Sequence, residues 1–270
     1  MNCPICDSSN WISYFSIPQR NTVEAIWDMG YALTNLFNDG MHTADYGANL
    51  YQNKFSKIWQ YCPDCELYFT DPPRQQFLDD YYKNTYWKLM GGSKSRLKRL
   101  GSWLRARSQY RWLTNKYYFK TVLDVGCGDG ALIKRFKRIN VDVEGLDYSV
   151  PRDKFLGDLT TVTNLTPLNS FGVFSLITYS HTLEHLREPI YSLEVFRKIL
   201  SDNGRLFIEV PLSPTPDKIT QKYLNTTHIT NYTEKSIGLL LEKAGFEIEE
   251  LKIIWWFSIG KVMRIIVRKK

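Results

Sequence analysis

Residues 121–130 read Thr121-Val122-Leu123-Asp124-Val125-Gly126-Cys127-Gly128-Asp129-Gly130. A short apolar run breaks into three glycines at alternate positions. A helical pattern over 130–138 follows, with Leu132, Ile133 and Phe136 turned inward. Gly126 and Gly128 let the backbone turn sharply off a strand and approach a ligand without side-chain obstruction. The helix start offers free N–H groups and the positive end of a dipole, which suits a carboxylate or phosphate. A second apolar run, 141–146, ends at Asp147, placed to hydrogen-bond ribose hydroxyls.

Working outward, strands and helices alternate. The pattern predicts a strand over 173–178, a helix from about 188 to 200 stopped by Asn203-Gly204, and a strand over 205–210 closed by Pro211. A helix over 233–244 ends at Gly245, and two β-rich runs, 246–254 and 261–267, finish the chain as an antiparallel hairpin at the sheet edge. Such alternation argues for an α/β fold with a parallel sheet covered on both sides. Upstream, residues 94–119 fit an amphipathic helix with Leu97, Leu100, Leu104, Leu113 and Tyr117 near one face. Three regions result: a small module over 1–70, a connector with a short helix and then the basic helix over 71–119, and the α/β domain over 120–270.

The glycine pattern by itself also fits a dinucleotide loop, because Gly126, Gly128 and Ala131 satisfy G-x-G-x-x-A. Two features argue otherwise. Asp124 would put a carboxylate where pyrophosphate should lie, whereas it suits the cationic end of an aminoacyl ligand, and the terminal β pair is the second. Residues 122–130, together with Val143-Glu144-Gly145-Leu146-Asp147, resemble the signature of class I S-adenosylmethionine-dependent methyltransferases over 120–270. The resemblance implies a Rossmann-like sheet of seven strands with the last inserted antiparallel, and S-adenosylmethionine as cofactor. It places Gly126 and Gly128 beside the methionine part, Asp147 on the ribose and Asp158 near the adenine. Cys127 belongs to the same loop as a small residue that fits it. Only ten residues separate Asp147 from Asp158, so the usual second helix is shortened or missing.

Three of the four histidines fall where an α/β sheet presents its ligand crevice. His181-Thr182-Leu183-Glu184-His185 follows the 173–178 strand, and His228 lies in the loop after the next one. Methyl transfer to a hydroxyl calls for removal of a proton, and imidazole suits that near neutral pH. In one reading His181 or His185 is the general base and Glu184 orients it. In the other, His181, Glu184, His185 and His228 bind a metal that acidifies the hydroxyl. Positions 181, 184 and 185 share a face if the segment is helical. The segment is similar to the Glu-x-x-Glu-His metal motif of some ubiquinone-pathway and small-RNA methyltransferases, with His181 for the first Glu. The base reading is preferred, because metal-free relatives carry similar segments.

Cys3-Pro4-Ile5-Cys6 and Cys62-Pro63-Asp64-Cys65 are two tight knuckles, each presenting two thiolates. Four thiolates complete a tetrahedral structural zinc shell with no open position, which makes residues 1–70 a zinc-ribbon-like module. A zinc module ahead of such a domain resembles bacterial sugar and glycan-locus methyltransferases, on 65–72, Tyr81-Tyr82 and 204–211. That resemblance implies a carbohydrate or nucleotide-sugar acceptor partly covered by the module.

Net charge is +7, and no acidic residue lies between Asp80 and Asp124, where eleven lysines and arginines from Lys83 to Lys120 fall. The expected partner is anionic: a nucleotide-linked small molecule or glycan, with nucleic acid as the alternative. No apolar run approaches the roughly 20 residues of a membrane span, and the N-terminus lacks a secretory pattern, so the expected location is cytoplasmic.

Overall fold

A computed structural model of the chain describes residues 2–17, 57–71, 96–147, 172–219, 228–256 and 260–270. In chain order the elements are β1 (Ile12–Ile17), β2 (Lys57–Cys62), β3 (Leu67–Thr70), α1 (Arg96–Thr114), β4 (Thr121–Val125), α2 (Ala131–Lys137) and β5 (Asp142–Leu146). There follow β6 (Phe174–Ser180), a 3-10 turn (Leu183–His185), α3 (Pro189–Ile199), β7 (Leu200–Pro211), β8 (Thr230–Asn231), α4 (Glu234–Lys243), β9 (Phe246–Trp256) and β10 (Gly260–Lys269).

The main sheet runs β5-β4-β6-β7-β10-β9. β4 pairs in parallel with β5 and β6, and β6 with β7, while β10 lies antiparallel between β7 and β9. The inserted antiparallel last strand is therefore present, and six strands of the expected seven fall among the described residues. Asp158 and the connector over 72–95 lie outside them. Val122, Leu123 and Val125 are all buried, as a strand covered on both faces requires. α4 starts where expected, with Thr233 and Ser236 forming a reciprocal capping box.

Two local expectations are corrected. α3 spans the expected stretch, but β7 begins at Leu200 rather than at 205, because Leu200 is buried and already pairs with Phe174. The inner face of α1 is Ala106, Gln109 and Leu113, whereas Leu100 and Leu104 are about half exposed. The buried stripe includes a polar residue, Gln109, which apolar periodicity alone cannot find.

The cysteine-bounded module is not closed on itself. Its sheet runs β1-β2-β3-β8, and β8 comes from the α/β domain. Ile5, Leu67 and Phe69 share one core with Leu183, Tyr232, Ile237 and the strands of the main sheet. The Phe69→Ala variant is therefore expected to lower the stability of the whole chain by about 3–5 kcal/mol. The check is chemical denaturation followed at a probe in the main sheet, which a separately folding module would leave unmoved.

Candidate functional site

The glycine loop leaves the end of β4 and bends toward β5. The N–H groups of Gly126 and Cys127 both donate to the Leu146 carbonyl, at 2.7 and 3.0 Å. Gly126 takes φ 74°, and a Cβ there would lie 2.0 Å from Thr182 Oγ1. This position admits only glycine. Gly128 donates its N–H to Asp147 Oδ2 at 2.8 Å, so the Asp147 carboxylate sits over the loop. Asp129 Oδ1 accepts from Ala131 N–H and from Ser102 Oγ, which caps α2 and ties α1 to the loop. Cys127 is buried against the bare Cα of Gly145, so its backbone alone faces the crevice.

Asp124 is buried beneath the loop and accepts from Thr178 Oγ1 at 2.6 Å. Burial pushes its carboxyl from 3.8 up to about 7, a shift the Thr178 hydrogen bond only partly offsets. Among the described residues no cation pairs with this carboxyl. Across the crevice, Ser102, Arg105 and Gln109 share one face of α1 by helical spacing. Ser102 bonds the glycine loop, and Gln109 donates to Ser180 Oγ at 2.7 Å and Glu209 Oε1 at 2.8 Å. Arg105, half-buried between them, has no ion pair or hydrogen bond among the described residues. Arg107, by contrast, turns away and stacks on Trp103.

The chain leaves β6 through His181, which adopts φ 55°, a conformation costing an ordinary L-residue about 1–2 kcal/mol. Its Nδ1 lies 3.3 Å from Glu184 Oε1 and its Nε2 3.4 Å from Glu209 Oε1. Burial disfavours the imidazolium, but the two carboxylates outweigh it and the pKa of His181 is raised. Glu209 is fully buried and pairs with Arg264 Nε at 2.5 Å. Glu184 is held down to about 2 despite burial, by the His181 imidazole 3.3 Å away and by the neighbouring His185 and His228.

Neither oxygen of Glu184 has a geometrically good hydrogen bond, although the residue is 1% exposed. The ligand atoms of Glu184, His185 and His228 all lie within 4.8 Å of one another, and the two imidazoles meet edge to face. His228 Nδ1 lies 2.9 Å from Asn231 Oδ1, and the tautomer that donates Nδ1–H to this oxygen carries its lone pair on Nε2. His181 lies outside this trio, engaged by the two carboxylates. The histidine expectations thus divide, with His185 and His228 beside Glu184 on one side and His181 beneath it. Gln109, Glu209, Arg264 and Asn231 had no signal in the sequence, because their meaning comes only from what they touch.

The four module cysteines meet as expected from their spacing. Cys3 and Cys65 sulfurs lie 3.4 Å apart, Cys6 and Cys62 3.5 Å, and all four fall within 4.8 Å. A tetrahedron of zinc–sulfur bonds of about 2.3 Å has edges of about 3.8 Å, so the donor set fits zinc. The hydrogen bond from Cys65 lowers Cys3 to about 5, while burial raises Cys62 to about 11 and Cys65 is raised by its bond to Cys3. Four thiolates cannot coexist there without a cation.

Comparison with known proteins agrees with this geometry. A family model described as a methyltransferase domain matches residues 86–251, well over half of the chain, and the chain belongs to that family. Its fold is that of a class I S-adenosylmethionine-dependent methyltransferase. Over 107 residues it is 31% identical to the ubiquinone biosynthesis O-methyltransferase of Vibrio cholerae, a match covering 34% of this chain and 42% of that protein. The chain thus spans less than half the length of the curated relatives it matches. Magnesium protoporphyrin IX methyltransferase from Synechocystis PCC 6803, solved with S-adenosylhomocysteine, superposes with a TM-score of 0.55 at 16% identity, over 73% of this chain and all of that one. The 1,6-didemethyltoxoflavin-N1-methyltransferase of Burkholderia thailandensis gives 0.52 at 16% identity, over 78% and 98%. Among the described residues no helix is long and apolar enough to cross a membrane.

Because the Asp124 carboxyl is raised in the folded protein, its contribution to stability is present at low pH and is lost as pH rises through about 7. The Asp124→Asn variant is expected to flatten that decline in the cofactor-free protein, measured as denaturation midpoints between pH 5 and 8. An unchanged slope would show that Asp124 ionises freely.

Proposed function

We propose that the chain transfers the methyl group of S-adenosylmethionine to a hydroxyl of a small acceptor, a carbohydrate or nucleotide-linked sugar. The observation that carries the site reading is the His185–His228 pair within 4.8 Å of the buried Glu184 carboxylate, on the turn that follows Thr182, which lies against Gly126. When bound, the cofactor supplies an electrophilic methyl on a sulfonium. Asp124 receives its ammonium group, Arg105 its carboxylate and Asp147 its ribose, with Asp158 assigned to the adenine; Gly126, Cys127 and Gly128 line the cofactor through backbone. One of the two imidazoles takes the proton from the acceptor hydroxyl, and Glu184 stabilises the imidazolium that forms. His181, held between two carboxylates, keeps its own proton and serves as the support beneath Glu184. The sugar acceptor draws support from the four-cysteine module set against the site, and the zinc assigned to that module is structural.

Replacing His185 or His228 with alanine is expected to lower kcat by about 10²–10⁴-fold while leaving S-adenosylhomocysteine affinity within about twofold. Arg105→Ala is expected to raise KM for the cofactor, and Arg107→Ala to leave it unchanged. A second reading is favoured by the two Glu184 oxygens that lack hydrogen bonds, since a metal held by Glu184, His185 and His228 would satisfy them. A methyl-transfer screen against nucleotide sugars with and without chelator separates the two. Activity that survives chelation supports the base, and activity lost then restored by a divalent transition metal supports the metal.

A further inference from the structure

The knuckle Cys62–Cys65 is the turn between β2 and β3, so whatever holds its sulfurs also sets the register of that hairpin. Glu66, in the left-handed conformation at φ 61°, closes the knuckle by donating its N–H to the Cys62 carbonyl at 2.7 Å. From there β3 continues directly into the catalytic half of the molecule. Tyr68 pairs with Asn231 and Phe69 with Thr230, and the Thr70 N–H reaches the Ile229 carbonyl at 3.1 Å. Thr233 Oγ1 donates to the Glu66 carbonyl at 3.2 Å. On its other side the same segment is tied to the 3-10 turn, Ile229 N–H donating to the Glu184 carbonyl at 2.8 Å. Residues 229–231 are thus strung between the cysteine hairpin and the backbone of Glu184, and His228 is the next residue along.

We propose that the four-cysteine centre positions the His228 imidazole: its metal locks the knuckle, the knuckle fixes β3, and β3 carries the strand on which Asn231 orients His228. Asn231 is the positioning residue at the end of this chain. It is buried, and its Oδ1 lies 2.9 Å from His228 Nδ1, a contact that sets how the ring is turned beside Glu184 and His185. The glycine loop meets the 3-10 turn through Thr182 but draws its own backbone hydrogen bonds from Leu146, so cofactor binding and His228 geometry are separable. The effect on catalysis rests on His228 acting as proposed above, whereas the structural coupling does not.

The test uses the full chain, zinc-loaded and with ¹⁵N-labelled histidine, before and after removal of the cysteine-bound metal with a mercurial and chelator. Stripping is expected to abolish the Nδ1–H tautomer signature of His228 and to speed amide exchange at residues 229–231 by at least ~10-fold. S-adenosylhomocysteine affinity, read by calorimetry, is expected to change by less than about twofold, since the glycine loop keeps its own contacts. An unchanged His228 signature with unchanged exchange at 229–231 overturns the proposal. Should stripping unfold the chain, the zinc-loaded variants decide. Asn231→Ala is expected to lower kcat about 10–100-fold with KM for the cofactor unmoved, and Asn231→Asp, which keeps the acceptor oxygen, to recover most of it. Equal loss in both variants overturns the role of Asn231. A tautomer change without any change in kcat supports the positioning and removes His228 from the catalytic reading.

Discussion

The carboxylate of Glu209 is the constraint on which the rest of the site depends. It is fully buried at the end of β7 and is met from three directions, by Arg264 from β10, Gln109 from α1 and His181 at the exit of β6. A buried charge left unpaired costs several kcal/mol, so each partner is held in place by the penalty of leaving. Satisfying Glu209 therefore brings four elements into one arrangement. It locks α1 across the crevice, which carries Ser102 to the glycine loop and Arg105 into the gap. It also holds His181 in its left-handed turn, and that turn aims Glu184 at His185 and His228.

From this core the charges alternate outward from Arg264 through Glu209 and His181 to Glu184, which meets the imidazole pair. Such a chain is stable only when each member keeps its neighbour. The same order gives each carboxylate a defined state. Glu184 and Glu209 are held ionised by the groups at their sides, whereas Asp124, with no cation beside it among the described residues, is pushed toward its neutral form. The three differ in function because of their partners, although all three are buried.

The four-cysteine module completes the site from the opposite side. A sheet edge in a small domain needs cover, and here β3 takes β8 as its outer neighbour. The module and the α/β domain consequently share a core as well as a strand. A boundary drawn at residue 70 marks a change in composition, and the folded unit crosses it.

Much of this was legible in the sequence because it depends on local pattern. The strand–glycine–helix unit at 121–137, the strand pair at the C-terminus, the four clustered cysteines and the placement of His181, Glu184, His185 and His228 near one crevice all follow from spacing and residue type. The misread features were those in which a tertiary contact overrides local preference. Leu100 and Leu104 look like the core face of α1, but Gln109 takes the inside because Glu209 and Ser180 await it. Asn203-Gly204 looks like a break ahead of the strand, but β7 starts before it because Leu200 already pairs with Phe174. Sequence alone determined the strand–glycine turn and the clustered cysteines, since glycine conformations and paired thiols act over a few residues. Only the tertiary structure decided that His181 lies between two carboxylates while His185 and His228 meet beside Glu184, because those neighbours come from distant parts of the chain.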